Sequence, residues 1–127
     1  MNDEALRFVR WYAHLMEDAP LDRHAARALL RRALADREAL AEYLLNNECA
    51  PSLLGEFFFR HWNDAISDAP SSAALRLASA VMRALEGIED ERDRRVAEWW
   101  FRLGLVPSTR VLRQLCKGIS DARQRSA

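Results

Sequence analysis

The side chains that could carry acid–base or metal chemistry are few and scattered. The three histidines, His14, His24 and His61, include no pair three or four residues apart, and no HExxH, phosphate-loop or nucleophile-elbow motif occurs. His14 and Asp18 stand one helical turn apart, a spacing that suits a surface hydrogen bond or an oriented imidazole. His61 falls inside an apolar stripe, which predicts a core histidine with one hydrogen-bonded nitrogen. We therefore expect no catalytic residue, no metal ion and no cofactor.

The two cysteines, Cys49 and Cys116, are far apart in sequence and form no CxxC motif. Cys49 lies in a predicted loop without a cluster of positive charges that would lower its pKa, and Cys116 lies on an apolar helical stripe. Residues 1–4 are acidic and show no signal-peptide pattern, and no apolar run approaches the length of a membrane span. These features predict a chain with reduced thiols in the cytoplasm and no membrane segment.

An arginine row on the second predicted helix is the first candidate binding surface. Arg23, Arg27 and Arg31 recur at four-residue spacing, so they share one helix face. Like charges at this spacing repel by roughly a few tenths of a kcal/mol per pair. A partner's carboxylate or phosphate would relieve the repulsion, and so would Glu or Asp of a neighbouring helix.

A surplus of aromatic side chains is the second candidate surface. Phe59 points away from the apolar stripe of its helix, Phe101 projects opposite Trp99 and Trp100, and Trp11 lies at the edge of an apolar arc. These positions fit either helices packed on two sides or an exposed patch for association. Trp, Tyr and Arg are frequent anchors of protein interfaces. We accordingly select Trp11, Phe59 and Phe101, together with the arginine row, as candidate protein-binding residues.

The elements that must position these residues are predicted to be helices throughout. Apolar residues recur with helical period, and no strand pattern of convincing length occurs. Prolines separate the periodic segments, and Gly87, Gly104 and Gly118 fall near predicted C-termini. The predicted N-caps or near-caps are Ser71-Ser72, Ser108-Thr109, Asp22 and Asp36. The predicted helices span residues 3–17, 21–35, 36–46, 52–67, 71–86, 89–103 and 108–122.

A possible internal repeat is the most distinctive pattern. Phe8-x-Arg10 followed by Asp18-Ala19-Pro20 matches Phe58-x-Arg60 followed by Asp68-Ala69-Pro70 at an offset of 50 residues. The pattern suggests two three-helix units, 3–50 and 53–106, and a capping helix over 108–122. Stacked units of this size are typical of short armadillo- or HEAT-like solenoids. A plain six- or seven-helix bundle is the alternative, because few residues match.

Bulk composition narrows the function. The 127 residues suit one domain, residues 1–127, and half of them are hydrophobic, which excludes a disordered chain. Nineteen basic residues, all arginine except Lys117, balance nineteen acidic ones. The arginine bias fits a GC-rich, bacterial coding sequence, and the neutral balance disfavours nucleic acid as a partner.

The function that these features favour is non-catalytic protein binding through helical faces, as in an adaptor, chaperone, inhibitor or immunity-type protein. The partner would be another protein, with a second copy of the chain as an alternative. Two other hypotheses stay open. One is a nucleic-acid-binding regulator that uses the arginine row and a second basic row, Arg110, Arg113 and Lys117. The other is an enzyme or enzyme subunit whose site the sequence does not reveal.

Overall fold

A computed structural model describes residues 1–17 and 21–126, and these residues form seven α-helices and no strand. The all-α, seven-helix prediction is confirmed. The helices are α1 (Asp3–Leu15), α2 (Arg23–Ala35), α3 (Arg37–Asn46), α4 (Pro51–Ala65), α5 (Ala73–Glu86), α6 (Glu91–Leu103) and α7 (Thr109–Ser126). No helix in this described part combines the length and apolar character needed to cross a bilayer.

Local capping explains where most helices begin. The predicted N-caps Asp22, Asp36 and Ser72 each accept a hydrogen bond from the backbone N–H three residues later, at 2.7, 3.1 and 3.0 Å. Such bonds satisfy N–H groups that have no partner inside the helix. Helix α4 has no side-chain cap and instead begins at Pro51, whose missing N–H costs nothing at that position.

The core gathers buried side chains from all seven helices. Helices α3 and α5 pack against each other, and α7 packs against both α4 and α5. The largest fully buried side chains are Phe8, Phe57, Leu40, Leu44, Leu54, Leu77, Leu115, Val9 and Val81. Apolar side chains recur with helical period on α4, α5 and α7, and most of them face this common core, but Ile66 on the α4 stripe and Met82 on the α5 stripe are 54% and 44% exposed.

Helix α7 differs from its prediction in length. The helix does not end near residue 122 but continues to Ser126, so Gly118 lies inside it rather than near its C-terminus. Arg123, in the added turn, donates hydrogen bonds to the backbone oxygens of Asn47 at 2.6 Å and Leu45 at 3.5 Å. The end of α7 is thus anchored to the C-terminus of α3, where carbonyl groups lack helical partners.

Matched residues of the repeated motif have the same burial where both members of a pair can be compared. Phe8 and Phe58 are both buried and Arg10 and Arg60 are both exposed, a pattern that any pair of amphipathic helices also gives. Residues 18–20, which carry the second half of the first motif, lie outside the described residues. A solenoid is not confirmed, and the duplication stays a prediction.

Candidate functional site

The histidines do not assemble into a site. His61 Nε2 lies 2.6 Å from the backbone oxygen of Leu34 on α2, so one ring nitrogen is hydrogen-bonded as predicted, but the residue is half-buried rather than part of the core. His14 is exposed, and its proposed partner Asp18 lies outside the described residues. Within the described ranges, no cluster of three or more His, Cys, Asp or Glu side chains could hold a metal ion.

The arginine row lies on the surface of α2. Arg23, Arg27 and Arg31 are all exposed, and none forms an ion pair with a carboxylate of residues 1–17 or 21–126. A shallow depression beside the row is lined by Arg23, Arg27, His24 and Asp22. Asp22 is thus the described carboxylate beside the row, without an ion-pair contact to it, and the three arginines present their charge to solvent.

Two of the three candidate aromatic residues pack against the core. Trp11 is half-buried, with its ring centroid 6.0 Å from that of Phe8 and 5.3 Å from that of Tyr43. It joins α1 to α3. Of the two alternatives, packing within the fold or exposure in an association patch, the first fits Trp11.

Phe101 is half-buried as well. Its ring stacks on Phe58 at 5.2 Å and lies 5.5 Å from Trp62, so it attaches α6 to α4. Aromatic pairs at such distances stabilise the fold beyond the area that they bury. Phe101 lies opposite the exposed Trp99, as predicted, but Trp100 is half-buried against the core like Phe101.

Phe59 is the candidate aromatic residue that stays on the surface, with 74% of it exposed. It does not share a surface with the arginine row. Phe57 and His61 lie on the side of α4 that faces α2, since His61 contacts Leu34. Phe59 follows Phe57 by two residues, which turns it about 200° around the helix. The predicted combined site is therefore divided between separate faces.

Helix α6 carries an apolar face that the sequence analysis did not select. Val96, Trp99 and Leu103 are 38%, 62% and 57% exposed. Their spacing of three and four residues aligns them along one side of the helix. The opposite side carries the buried Ala97 and the half-buried Phe101, and Trp100, about 100° further round the helix than Trp99, is half-buried between the two sides. The same periodicity was present in the sequence, but it did not indicate which of the two apolar sides faces the core.

The apolar face continues into the segment that follows α6. Helix α6 ends at Leu103 and is capped by Gly104, whose φ of +69° is strained for other residues, and Leu105 N–H donates to the Trp100 oxygen at 2.9 Å. Leu105 and Val106 are then 52% and 39% exposed. We call Val96, Trp99, Leu103, Leu105 and Val106 the α6 surface.

The α6 surface concentrates apolar exposure. Among the described residues, twelve large hydrophobic side chains are exposed, and five of them belong to this stretch of eleven residues. Phe59 lies near the Val106 end of the α6 surface. Gly55 precedes Phe59 by one helical turn, and a Cβ at position 55 would lie 3.9 Å from a Val106 methyl group. Apolar exposure concentrated in one stretch of chain is a feature of association sites in folded proteins.

Arginines border the α6 surface. Arg92 lies in line with Val96 and Trp99, and Arg95 and Arg102 lie along one side at the next helical positions, all three exposed. Arg95 forms an exposed ion pair with Glu91 at 2.8 Å. The charges of Arg92 and Arg102 meet no carboxylate of the described chain within ion-pair distance. A matching surface would be apolar at its centre with carboxylates at its edge.

A large open groove lies elsewhere, between α5 and α7, with a volume of about 1310 Å³. Its lining includes the small residues Ser79, Ala80, Ala84 and Gly118 and the basic residues Arg76, Arg83, Arg110, Lys117, Arg123 and Arg125. It contains no histidine or cysteine. Arg110, from the second basic row, forms an ion pair with Asp93 at 3.0 Å, and Gln114 donates to the same carboxylate at 3.1 Å. Part of that basic row thus joins α7 to α6.

Comparisons with protein-family models, with curated proteins and with solved structures found no match to this chain. The surfaces are therefore interpreted from their own geometry and chemistry.

Proposed function

We propose that this protein is a non-catalytic protein-binding module, and that the α6 surface is where its partner binds. The observation that carries the proposal is the exposure of Trp99 in line with Val96 and Leu103 on a helix whose other side already packs on the core. An exposed tryptophan flanked by aliphatic side chains and arginines has the composition of an interface centre.

The arginine border specifies the partner's chemistry. A protein with an apolar strip edged by aspartate or glutamate would bury Trp99 and pair Arg92 and Arg102 at the rim. A second copy fits less well, because an antiparallel pairing of two α6 helices about Trp99 would bring Arg95 close to Arg102 of the other copy. Like charges in such positions oppose association.

The exposed arginine row on α2 supports the same class of partner. Arg23, Arg27 and Arg31 add positive charge on a separate face, which would raise the association rate of an acidic protein. The two free thiols, Cys49 and Cys116, fit a reducing cytoplasm, where we place the protein as part of the proposal.

Site-specific photo-crosslinking tests the α6 surface. A benzophenone side chain is placed at position 99, and a matched protein carries it at position 113, where Arg113 is exposed on α7. We expect a discrete protein adduct at position 99 in the source cells and none at position 113. Absence of an adduct at position 99, or an adduct that nuclease removes, would overturn the proposal.

Binding measurements on the purified pair then complete the test. Trp99→Ala and Leu103→Ala should each weaken binding by about tenfold or more, with Tm nearly unchanged, because each residue is exposed in the free protein. Met82→Ala is the matched control, since Met82 is 44% exposed on α5, outside the α6 surface. Equal affinity for all three variants would show that the adduct does not mark an interface.

A further inference from the structure

Tertiary folding brings together two cysteines that are 67 residues apart. Cys49 lies in the connection between α3 and α4, and Cys116 lies in the middle of α7. Their Sγ atoms are 3.0 Å apart and both residues are buried, with relative exposures of 9% and 5%. Both are free thiols in the structure.

From this geometry we propose that Cys49 and Cys116 are a redox-active pair that forms a reversible intramolecular disulfide. A disulfide needs its sulfurs about 2.05 Å apart, so the two Sγ atoms must approach by only about 1 Å. Cys49 is outside any helix, and this leaves its backbone free to make that adjustment without breaking a helical hydrogen bond.

A small-molecule disulfide such as oxidised glutathione is a sufficient oxidant. The Cys49 thiolate attacks it, forming a mixed disulfide and releasing one thiol, and the Cys116 thiolate then attacks the Cys49 sulfur and releases the second. The two protein thiols lose two protons and two electrons, which reduce one small disulfide to two thiols. The hydrogen bond with Cys49 and burial raise the pKa of Cys116. Cys49, at 9% exposure against 5% for Cys116, is the more accessible sulfur, and the exchange begins there.

The bond would tie α7 to the segment between α3 and α4. That segment is already held on two sides, by the Arg7–Glu48 ion pair at 2.9 Å and by Arg123 on the Asn47 oxygen. The disulfide would add a covalent link at the same place and fix the end of the α5–α7 groove lined by Leu45 and Arg123. This inference does not depend on the identity of a binding partner.

Disulfide formation itself is tested on the wild-type protein. The native protein is incubated with oxidised glutathione, then denatured and alkylated. We expect a monomer about 2 Da lighter than the reduced chain, with no alkylated cysteine and with a Cys49–Cys116 peptide pair in a non-reducing digest. Closing a loop of this length should raise Tm by about 10 °C, and dithiothreitol should reverse the change.

Several outcomes would overturn the inference. One is that both thiols can still be alkylated after the incubation with oxidised glutathione. Another is a product that stops at the glutathione adduct or that links two chains. A third is a disulfide that forms only in denaturant. Cys49→Ser is the matched control, because its remaining thiol, Cys116, cannot close the loop. A comparable rise in Tm for that variant under oxidation would show that the stabilisation has another cause.

Discussion

Replacement of Gly118 by alanine tests how closely α5 and α7 approach. A Cβ at position 118 would lie 2.9 Å from the Ala84 Cβ and 3.4 Å from the Ala84 Cα. Both atoms belong to the rigid part of a helix, so no side-chain rotation can make room. The helices would have to separate by several tenths of an ångström along an interface that includes the buried Leu77, Val81 and Leu115.

The net effect is the difference between two opposing terms. Alanine inside a helix is favoured over glycine by about 1 kcal/mol, whereas overpacking of a closely packed interface costs about 1–3 kcal/mol. We expect Gly118→Ala to lower the free energy of unfolding by about 1 kcal/mol. Ala84→Gly alone should cost a similar amount through lost helix propensity. In the double variant the contact disappears and the propensities cancel, so its stability should return to within about 0.5 kcal/mol of wild type.

Urea unfolding of the four proteins, followed by circular dichroism, measures this cycle. If the two effects were additive, the double variant would be about 2 kcal/mol less stable than wild type. The close contact instead predicts a coupling energy of about 2 kcal/mol that stabilises the double variant and offsets this loss. A Gly118→Ala protein more stable than wild type by about 1 kcal/mol would show that helix propensity acts alone. The close approach of α5 and α7 would then be refuted.

Two further predictions concern aromatic side chains. Phe101→Ala should lower the free energy of unfolding by about 2–3 kcal/mol because its ring packs on Phe58 and Trp62. Phe59→Ala should change it by less than about 0.5 kcal/mol because Phe59 is exposed. Equal losses for the two variants in urea titrations would contradict these two placements. Burial raises the pKa of Tyr43 above its usual value, so its contribution to stability is complete below about pH 10 and is lost as the pH rises towards the folded-state pKa. Tyr43→Phe should therefore lose stability less steeply than wild type between about pH 9.5 and 11, and parallel curves would contradict this.

Much of the secondary structure was predictable because its determinants are local. The predicted ends of α5 and α6, at residues 86 and 103, coincide with the observed ones, and Gly104 adopts the left-handed conformation expected after a helix. Asp22, Asp36 and Ser72 act within three residues of their own positions. The end of α7 was not predictable in this way, because Arg123 is anchored by carbonyl groups that lie 76 and 78 residues away in sequence.

The candidate surface was predictable only in part. The divergence of Phe59 from its apolar stripe left two alternatives open, two-sided packing or exposure, and in the structure Phe59 is exposed. Phe101 and Trp99 lie on opposite sides of one helix, and both sides are apolar. Helical periodicity alone does not indicate which of the two sides is buried. The position of α4 decides between them, since Phe58 and Trp62 accept the ring of Phe101 and leave Trp99 in solvent.

The sequence by itself determined that this chain is helical, where most helices begin and end, and which residues form each apolar stripe. These properties depend on hydrogen bonds and side chains within about one helical turn. Only the tertiary structure decided which apolar side of α6 is buried, how Gly118 meets Ala84, and that Cys49 lies beside Cys116. Such contacts join helices far apart in sequence, and packing among all seven helices selects them.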